Sequence, residues 1–181
     1  FIGQVGDDAT GRGLTEALLA DGADMVVRRA GRTGTIIVLV DTAGERTMLS
    51  DRAACTELTD PDPAWLDGLH TLHIPYYSLA VEPLAAASAT LAQWAVARGI
   101  RVSIDTSSAA VLQHVGPAHA LAHIRSLRPS VLLANELEAA TLGTELHPDH
   151  LNGALVIIKQ GADAAIVLAA AVLVLRGRAH R

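Results

Sequence analysis

Cysteine, lysine and aromatic side chains are scarce in this chain of 181 residues. The single cysteine, Cys55, excludes an internal disulfide and a thiolate metal cluster, and no base lies near it in sequence to make it a nucleophile. Such sparing use of cysteine predicts a reducing, cytoplasmic setting. Two Trp, two Tyr and one Phe leave the core to be built from aliphatic residues. Positive charge is also short: 14 basic against 19 acidic residues give −5 at pH 7, which argues against nucleic acid or an anionic membrane as partner. The longest apolar stretch, Ala164 to Leu175, falls well short of the roughly 18 residues that a membrane span needs. No basic, then apolar, then small-residue leader is visible, so no signal peptide is expected. The first residue is Phe1, and Phe1-Ile2 reads as the tail of a strand already under way, so a truncated N-terminus is expected.

What is present is a chain that is 50% hydrophobic with ordinary glycine and proline, the composition of one globular domain. A Gly-rich, acidic stretch from Gly3 to Gly13 precedes a helical pattern in which Leu14, Ala17, Leu18 and Ala20 share a face and Asp21-Gly22 forms the stop. Short strands are predicted at Met25 to Arg28, Thr35 to Val40 and Glu45 to Leu49. The last two are joined as a hairpin through Asp41-Thr42-Ala43-Gly44. Beyond the acidic loop from Asp60 to Asp67, apolar runs LHTLHI, VSID, SVLLAN and ALVIIK alternate with helical segments Glu82 to Arg98, Pro117 to Leu127 and Glu136 to Leu142. Strand, helix, strand in repetition predicts a parallel sheet with right-handed crossovers. Ala164-Leu168 and Val172-Leu175 are expected to close the chain as an antiparallel pair.

Ligands of open parallel sheets gather at the carboxyl ends of the strands. Here those ends are Tyr76-Tyr77, Asp105-Thr106-Ser107-Ser108, Asn135-Glu136-Leu137-Glu138 and Lys159-Gln160-Gly161. Asn135 and Glu138, three apart after a strand, either hold a hydrated Mg²⁺ through oxygen donors or form an Asn N-cap with acidic first-turn residues. Lys159, the only lysine, either meets a phosphate as a point charge or is a solvated turn residue, and Gly161 permits close backbone approach. Asp105 either binds substrate or caps Ser107-Ser108. Tyr76 and Tyr77 either line a sugar pocket or pack in the core. The Gly-rich start is neither a Walker A loop nor a dinucleotide fingerprint, and reads as a turn with Asp7 and Asp8 at a helix N-terminus. His119/His123 and His147/His150 lack a third ligand and read as surface residues.

Taken in order, four segments resemble the PfkB (ribokinase-like) carbohydrate kinase family. FIGQVGDDATGRGLTEALLADGAD is similar to the end of its early strand and first helix, and RTGTIIVLVDTAGERTML to its lid hairpin. SVLLANELEAATLG resembles its Asn-Glu-x-Glu-Ala signature, and VIIKQGADAA its nucleotide loop. The resemblance implies an α/β fold with a Rossmann-like three-layer αβα core, a parallel sheet and a small β lid at about residues 25–50, within a single domain fragment spanning 1–181. It implies ATP-dependent phosphorylation of a sugar-like hydroxyl, with ATP and Mg²⁺ as cofactors and a small sugar as partner, and a homodimer formed through the lid. By motif position Asn135 and Glu138 would serve Mg²⁺ and phosphate, Lys159 and Gly161 the nucleotide, and Ile36 and Tyr77 the sugar. Ala164 replaces the second glycine of the nucleotide loop, and Tyr76 stands where glycine is usual. The family's sugar-binding Gly-Gly segment and its Gly-Ala-Gly-Asp segment, which carries the base, are expected to lie outside this chain, which leaves no catalytic residue assigned within it. The alternative is a non-catalytic relic or nucleotide-binding module of the same fold.

Overall fold

The structure, a computed structural model, describes residues 1–44 and 46–170. The chain divides into two compact units, residues 1–70 with 77–99, and residues 71–76 with 100–181.

In the first unit, strand β1 (Ile2–Val5) pairs parallel with β2 (Val26–Arg29), and helix α1 (Ala9–Ala20) connects them in sequence. The helix begins earlier than the sequence pattern predicts, taking in Gly11 and Gly13. Two contacts explain this. The Asp8 carboxylate caps the helix by accepting from Gly11 N at 2.8 Å, and a Cβ on Gly11 would lie 2.2 Å from the Gly6 carbonyl oxygen, so only glycine fits that first turn. The expected apolar stripe of α1 is not the buried one. Gly11 and Thr15 are buried, whereas Leu14, Leu18 and Leu19 are exposed.

Strands β3 (Thr35–Val40) and β4 (Arg46–Asp51) form a two-stranded antiparallel ribbon in register from Thr35↔Asp51 to Val40↔Arg46. Its turn is drawn tight by Gly44 N donating to Asp41 O and Ala43 N donating to the Asp41 side chain; Glu45 lies outside the described residues. Every strand residue of the ribbon is exposed. Its root is crowded at the backbone level. A Cβ on Gly6 would stand 2.1 Å from Thr33 N, and one on Gly34 would stand 2.6 Å from Arg52 O. Asp8 accepts from Thr33 N at 2.8 Å and from Thr33 Oγ1 at 2.6 Å, while Gly6 N donates to the same hydroxyl. These bonds hold the Asp8 carboxyl down at about 2, the Thr33 hydroxyl being the largest cause, followed by the Thr33 and Gly11 backbone N–H groups. Helix α2 (Leu84–Ala97) closes the unit in sequence. Its alanine-rich stretch favours helix strongly, and Gly99, at φ +73°, lets the chain turn away after it.

The second unit contains a five-stranded sheet, ordered β5 (Thr71–Pro75), β6 (Arg101–Asp105), β7 (Val131–Asn135), β8 (Leu155–Gln160) and β9 (Asp163–Leu168). The first four strands are parallel. β9 returns antiparallel to β8, making the sheet mixed rather than purely parallel. Val172-Leu175, the expected partner of the β9 segment, lies outside the described residues. The alternating burial of β5 and the buried Val102, Ile104, Leu132, Ala134 and Val156 supply the sheet's share of an aliphatic core. Each such Val, Ile or Leu side chain contributes about 1.5–3 kcal/mol when fully buried. Helices α3 (Ala109–Val115), α4 (Pro117–Ser126) and α5 (Glu136–Leu142) bury Leu112, Leu121, Ile124 and Leu142. Helix α3 has no counterpart in the sequence pattern, because its seven residues are cut short by Gly116 (φ +94°) and Pro117.

Candidate functional site at the carboxyl ends of the sheet

Three strand ends of the second unit bring polar side chains together. β7 ends on Asn135, which is the N-cap of α5: its Oδ1 accepts from Glu138 N at 2.9 Å. Glu138 Oε2 in turn accepts from Asn135 N at 2.9 Å, completing a capping box. The same oxygen accepts from Thr106 Oγ1 at 2.8 Å, at the end of β6. Thr106 is fully buried and Glu138 nearly so. Thr106 N also donates to Leu133 O, which holds the chain leaving β6 against β7. The Asn N-cap read from the sequence is therefore formed, and the Glu138 carboxylate is a structural acceptor between two strands.

The third strand adds charge. Lys159 is the register partner of Asn135 across β7 and β8. Its ammonium reaches over to β6 and donates to Asp105 Oδ2 at 2.5 Å. Asp105 Oδ1 accepts from Ser107 N at 3.0 Å, the local turn expected at this position. Burial pushes the Asp105 carboxyl up, but the hydrogen bonds from Lys159 and Ser107 outweigh it and leave the group below its ordinary range. Next to Lys159, Gln160 donates to Glu136 on α5, and Gly161 turns the chain at φ +60° into β9.

Of the residues singled out in the sequence, the crest thus gathers Asp105, Asn135, Glu138, Lys159 and Gly161. Thr106, Glu136 and Gln160 complete it. Thr106, which the sequence places at a strand end without assigning it a role, sends its hydroxyl to Glu138 on α5. Ile36 and Tyr77 belong to the other unit. Ile36 is exposed on β3, and Tyr77 is half-buried with the Arg52 guanidinium 4.0 Å above its ring. Tyr76, by contrast, is a fully buried core ring set edge-on to His123, and its hydroxyl has no hydrogen-bond partner among the described residues. Burial raises that phenol above its ordinary range.

The donor set suits a hydrated Mg²⁺ better than a protein-caged metal. Among the described residues no group of three or more His, Cys, Asp and Glu side chains converges on one point. The crest oxygens of Asn135 and Glu138 are hard donors already tied into the capping box. An ion held there keeps most of its waters or takes phosphate oxygens, which is the coordination that Mg²⁺ favours. Neither His119/His123 nor His147/His150 forms such a cluster; His150 pairs with Glu145, and His147 with Asp149.

The mostly parallel α/β sheet with its helices matches the fold of solved ribokinase-like kinases. The adenosine kinase of Anopheles gambiae, solved in complex with a diadenosine tetraphosphate, superposes with a TM-score of 0.78 at 25% identity over 95% of this chain and 56% of its own. The fructokinase of Halothermothrix orenii gives a TM-score of 0.80 at 20% identity, covering 91% of this chain and 63% of that one. A Vibrio cholerae fructokinase with fructose, ADP and calcium bound gives 0.73 at 21%, with 93% and 59% covered. This chain therefore spans rather more than half the length of these relatives. The family model for pfkB family carbohydrate kinases matches residues 1–175, and the chain belongs to that family. No helix among the described residues is long and apolar enough to cross a membrane.

Proposed function

We propose that this chain is the nucleotide- and magnesium-handling part of a kinase that transfers the γ-phosphoryl group of ATP to a hydroxyl of a small sugar or sugar-like molecule in the cytoplasm. The observation that carries the reading is the convergence of Asn135, Glu138, Lys159 and Gly161 at one crest of a sheet whose fold is that of sugar and nucleoside kinases. Lys159 and the Gly161 turn are placed to meet phosphate oxygens. Asn135 and Glu138 are placed to fix the waters of a Mg²⁺ ion, which would neutralise charge on the transferring phosphoryl. Ile36 and Tyr77 offer the sugar an apolar side chain and an aromatic ring, the surfaces that usually line small-molecule sites. Of the crest acids, Asp105 and Glu138 are not free to act as a general base. Asp105 holds Lys159, and Glu138 holds the capping box.

The exposed ribbon fits a second role, as the contact between two subunits. Ile36, Ile37, Val38, Leu39, Val40, Met48 and Leu49 are all exposed on two strands that are marginal alone, and pairing with a second copy would cover them.

Calorimetric titration with MgATP tests the nucleotide assignment. Binding is expected, and it should weaken about tenfold or more in Lys159→Ala. Equal binding by the variant overturns the role of Lys159. ADP release against a panel of sugars, measured on the intact protein that carries this chain, tests the acceptor. Turnover dependent on a sugar is expected, and ATP hydrolysis indifferent to every sugar overturns the kinase reading.

A further inference from the structure

The root of the ribbon holds a cation that the chain leaves without an anion. Arg52 follows β4 directly, and its guanidinium carbon lies 4.0 Å from the centre of the Tyr77 ring. Both residues are half-buried, and both belong to the first unit. Among the described residues this guanidinium makes no hydrogen bond and no ion pair. Other arginines of the unit are satisfied. Arg28 donates to the Thr59 and Asp60 carbonyls, Arg32 pairs with Asp51, and Arg98 pairs with Asp67. Asp51, next to Arg52 in sequence, is thus taken by Arg32. Asp8, at the same root, is taken by Thr33 and Gly11.

The backbone that carries Arg52 is fixed. Cys55 N donates to Arg52 O and Ala54 N to Arg32 O, both at 3.0 Å, and Gly34 passes close enough that a Cβ there would clash with Arg52 O. The ring of Tyr77 occupies one face of the guanidinium and leaves the edge, where all five N–H groups lie. A half-buried charge that loses hydration and gains no acceptor is unfavourable, and a bound oxyanion would restore what the chain does not supply. The guanidinium edge matches two oxygens of a carboxylate or a phosphate, whereas a neutral sugar offers it only hydroxyls. In a chain of net charge −5, an anionic acceptor needs such a local cation.

We propose that the acceptor of this kinase is an anionic sugar, bearing a carboxylate or phosphate away from the reacting hydroxyl, and that Arg52 on the Tyr77 ring selects it. The inference rests on the kinase reading above and adds to it the charge class of the acceptor and the residue that reads it. Tyr77 acts there as the platform that orients the guanidinium.

The test is ADP release by the intact protein with acceptors matched except in charge. Ribose and glucose are each compared with their aldonic acids, ribonate and gluconate, and with their terminal phosphates. The acids isolate the carboxylate and the sugar phosphates the phosphate. An anionic acceptor should exceed its neutral parent about tenfold or more in kcat/KM. In Arg52→Gln that ratio should fall toward one, chiefly through KM. Arg52→Lys, which keeps the charge and loses the fork, should give an intermediate ratio, and it serves as the second arm if Arg52→Gln does not fold. Tyr77→Ala, which removes the platform, should lower the same ratio. Neutral parents turned over as well as every anionic acceptor, or a ratio indifferent to both Arg52 variants, overturns this inference alone. ATP hydrolysis indifferent to every acceptor, neutral or anionic, overturns the kinase reading and this inference with it.

Discussion

The Thr106–Glu138 bond is the most exacting place to test the architecture of the crest. Thr106 is 0% exposed and Glu138 3% exposed, and the 2.8 Å bond between them joins the end of β6 to the helix that follows β7. Thr106→Val keeps the shape and removes the donor. A hydrogen bond to a charged acceptor contributes about 1.5–3 kcal/mol net, so this variant should lose about 2 kcal/mol of stability. Glu138→Ala breaks that bond and the one from Asn135 N, strips the capping box and leaves the Thr106 hydroxyl buried without its acceptor. Its cost should be about 3–5 kcal/mol. In the double variant the valine removes a hydroxyl that no longer has a partner, so Thr106→Val should add almost nothing on top of Glu138→Ala. The two changes should therefore be coupled by about 2 kcal/mol. Urea unfolding followed by circular dichroism measures all three, with the slope against denaturant unchanged if the folded and unfolded states keep their extent. Additivity of the two single changes within about 0.5 kcal/mol would refute a direct bond and the strand-to-helix bridge built on it.

Glu138→Gln separates structure from chemistry at the same residue. Glutamine also completes a capping box, so stability should stay within about 1 kcal/mol, while MgATP-dependent phosphorylation by the intact protein falls about tenfold or more. A wild-type rate sinks the metal assignment. The Asp8 carboxyl, drawn from its ordinary 3.8 to about 2, contributes stability that is fully present above about pH 4 and drains away as the pH falls toward 2. Melting curves across that window should be flatter for Asp8→Asn than for the unaltered protein, and parallel curves would show that the Thr33 contacts do not hold the charge. Val38→Lys, at an exposed position on the ribbon, should leave folding intact and abolish self-association in light scattering; an unaltered mass in a self-associating protein would move the subunit contact elsewhere.

Local pattern read well wherever local forces decide. β-branched residues placed β3 at Thr35–Val40 and helix signals placed α5 at Glu136–Leu142, residue for residue, and the N-cap role of Asn135 was visible from its three-residue spacing to Glu138. Long-range contacts decided the rest. The start of α1 looked like loop because Gly11 and Gly13 are poor helix formers. What makes Gly11 necessary is the Gly6 carbonyl, placed by the turn before the helix. The stripe of Leu14, Ala17 and Leu18 gave the right period and the wrong burial, since periodicity reports a face and not what covers it. The Asp105–Lys159 pair spans 54 residues and depends on both strands flanking β7 in one register, which no spacing along the chain encodes. Tyr76, expected either at a pocket or in the core, lies in the core.

The root of the ribbon carries one more consequence. What holds it is main chain against main chain, Gly6 beneath Thr33 and Gly34 beneath Arg52, locked by a carboxylate and a hydroxyl that both precede β3. None of the side chains between Thr35 and Val40 takes part. Apart from Asp51 of β4, whose carboxylate accepts from Arg32, the attachment is thus indifferent to the lettering of the arm it carries. Such an arm can be rewritten position by position, or exchanged whole for one of another length, without reopening the problem of how it is fastened. A lineage that needed a new acceptor or a new subunit partner would find its raw material there, at small risk to the framework.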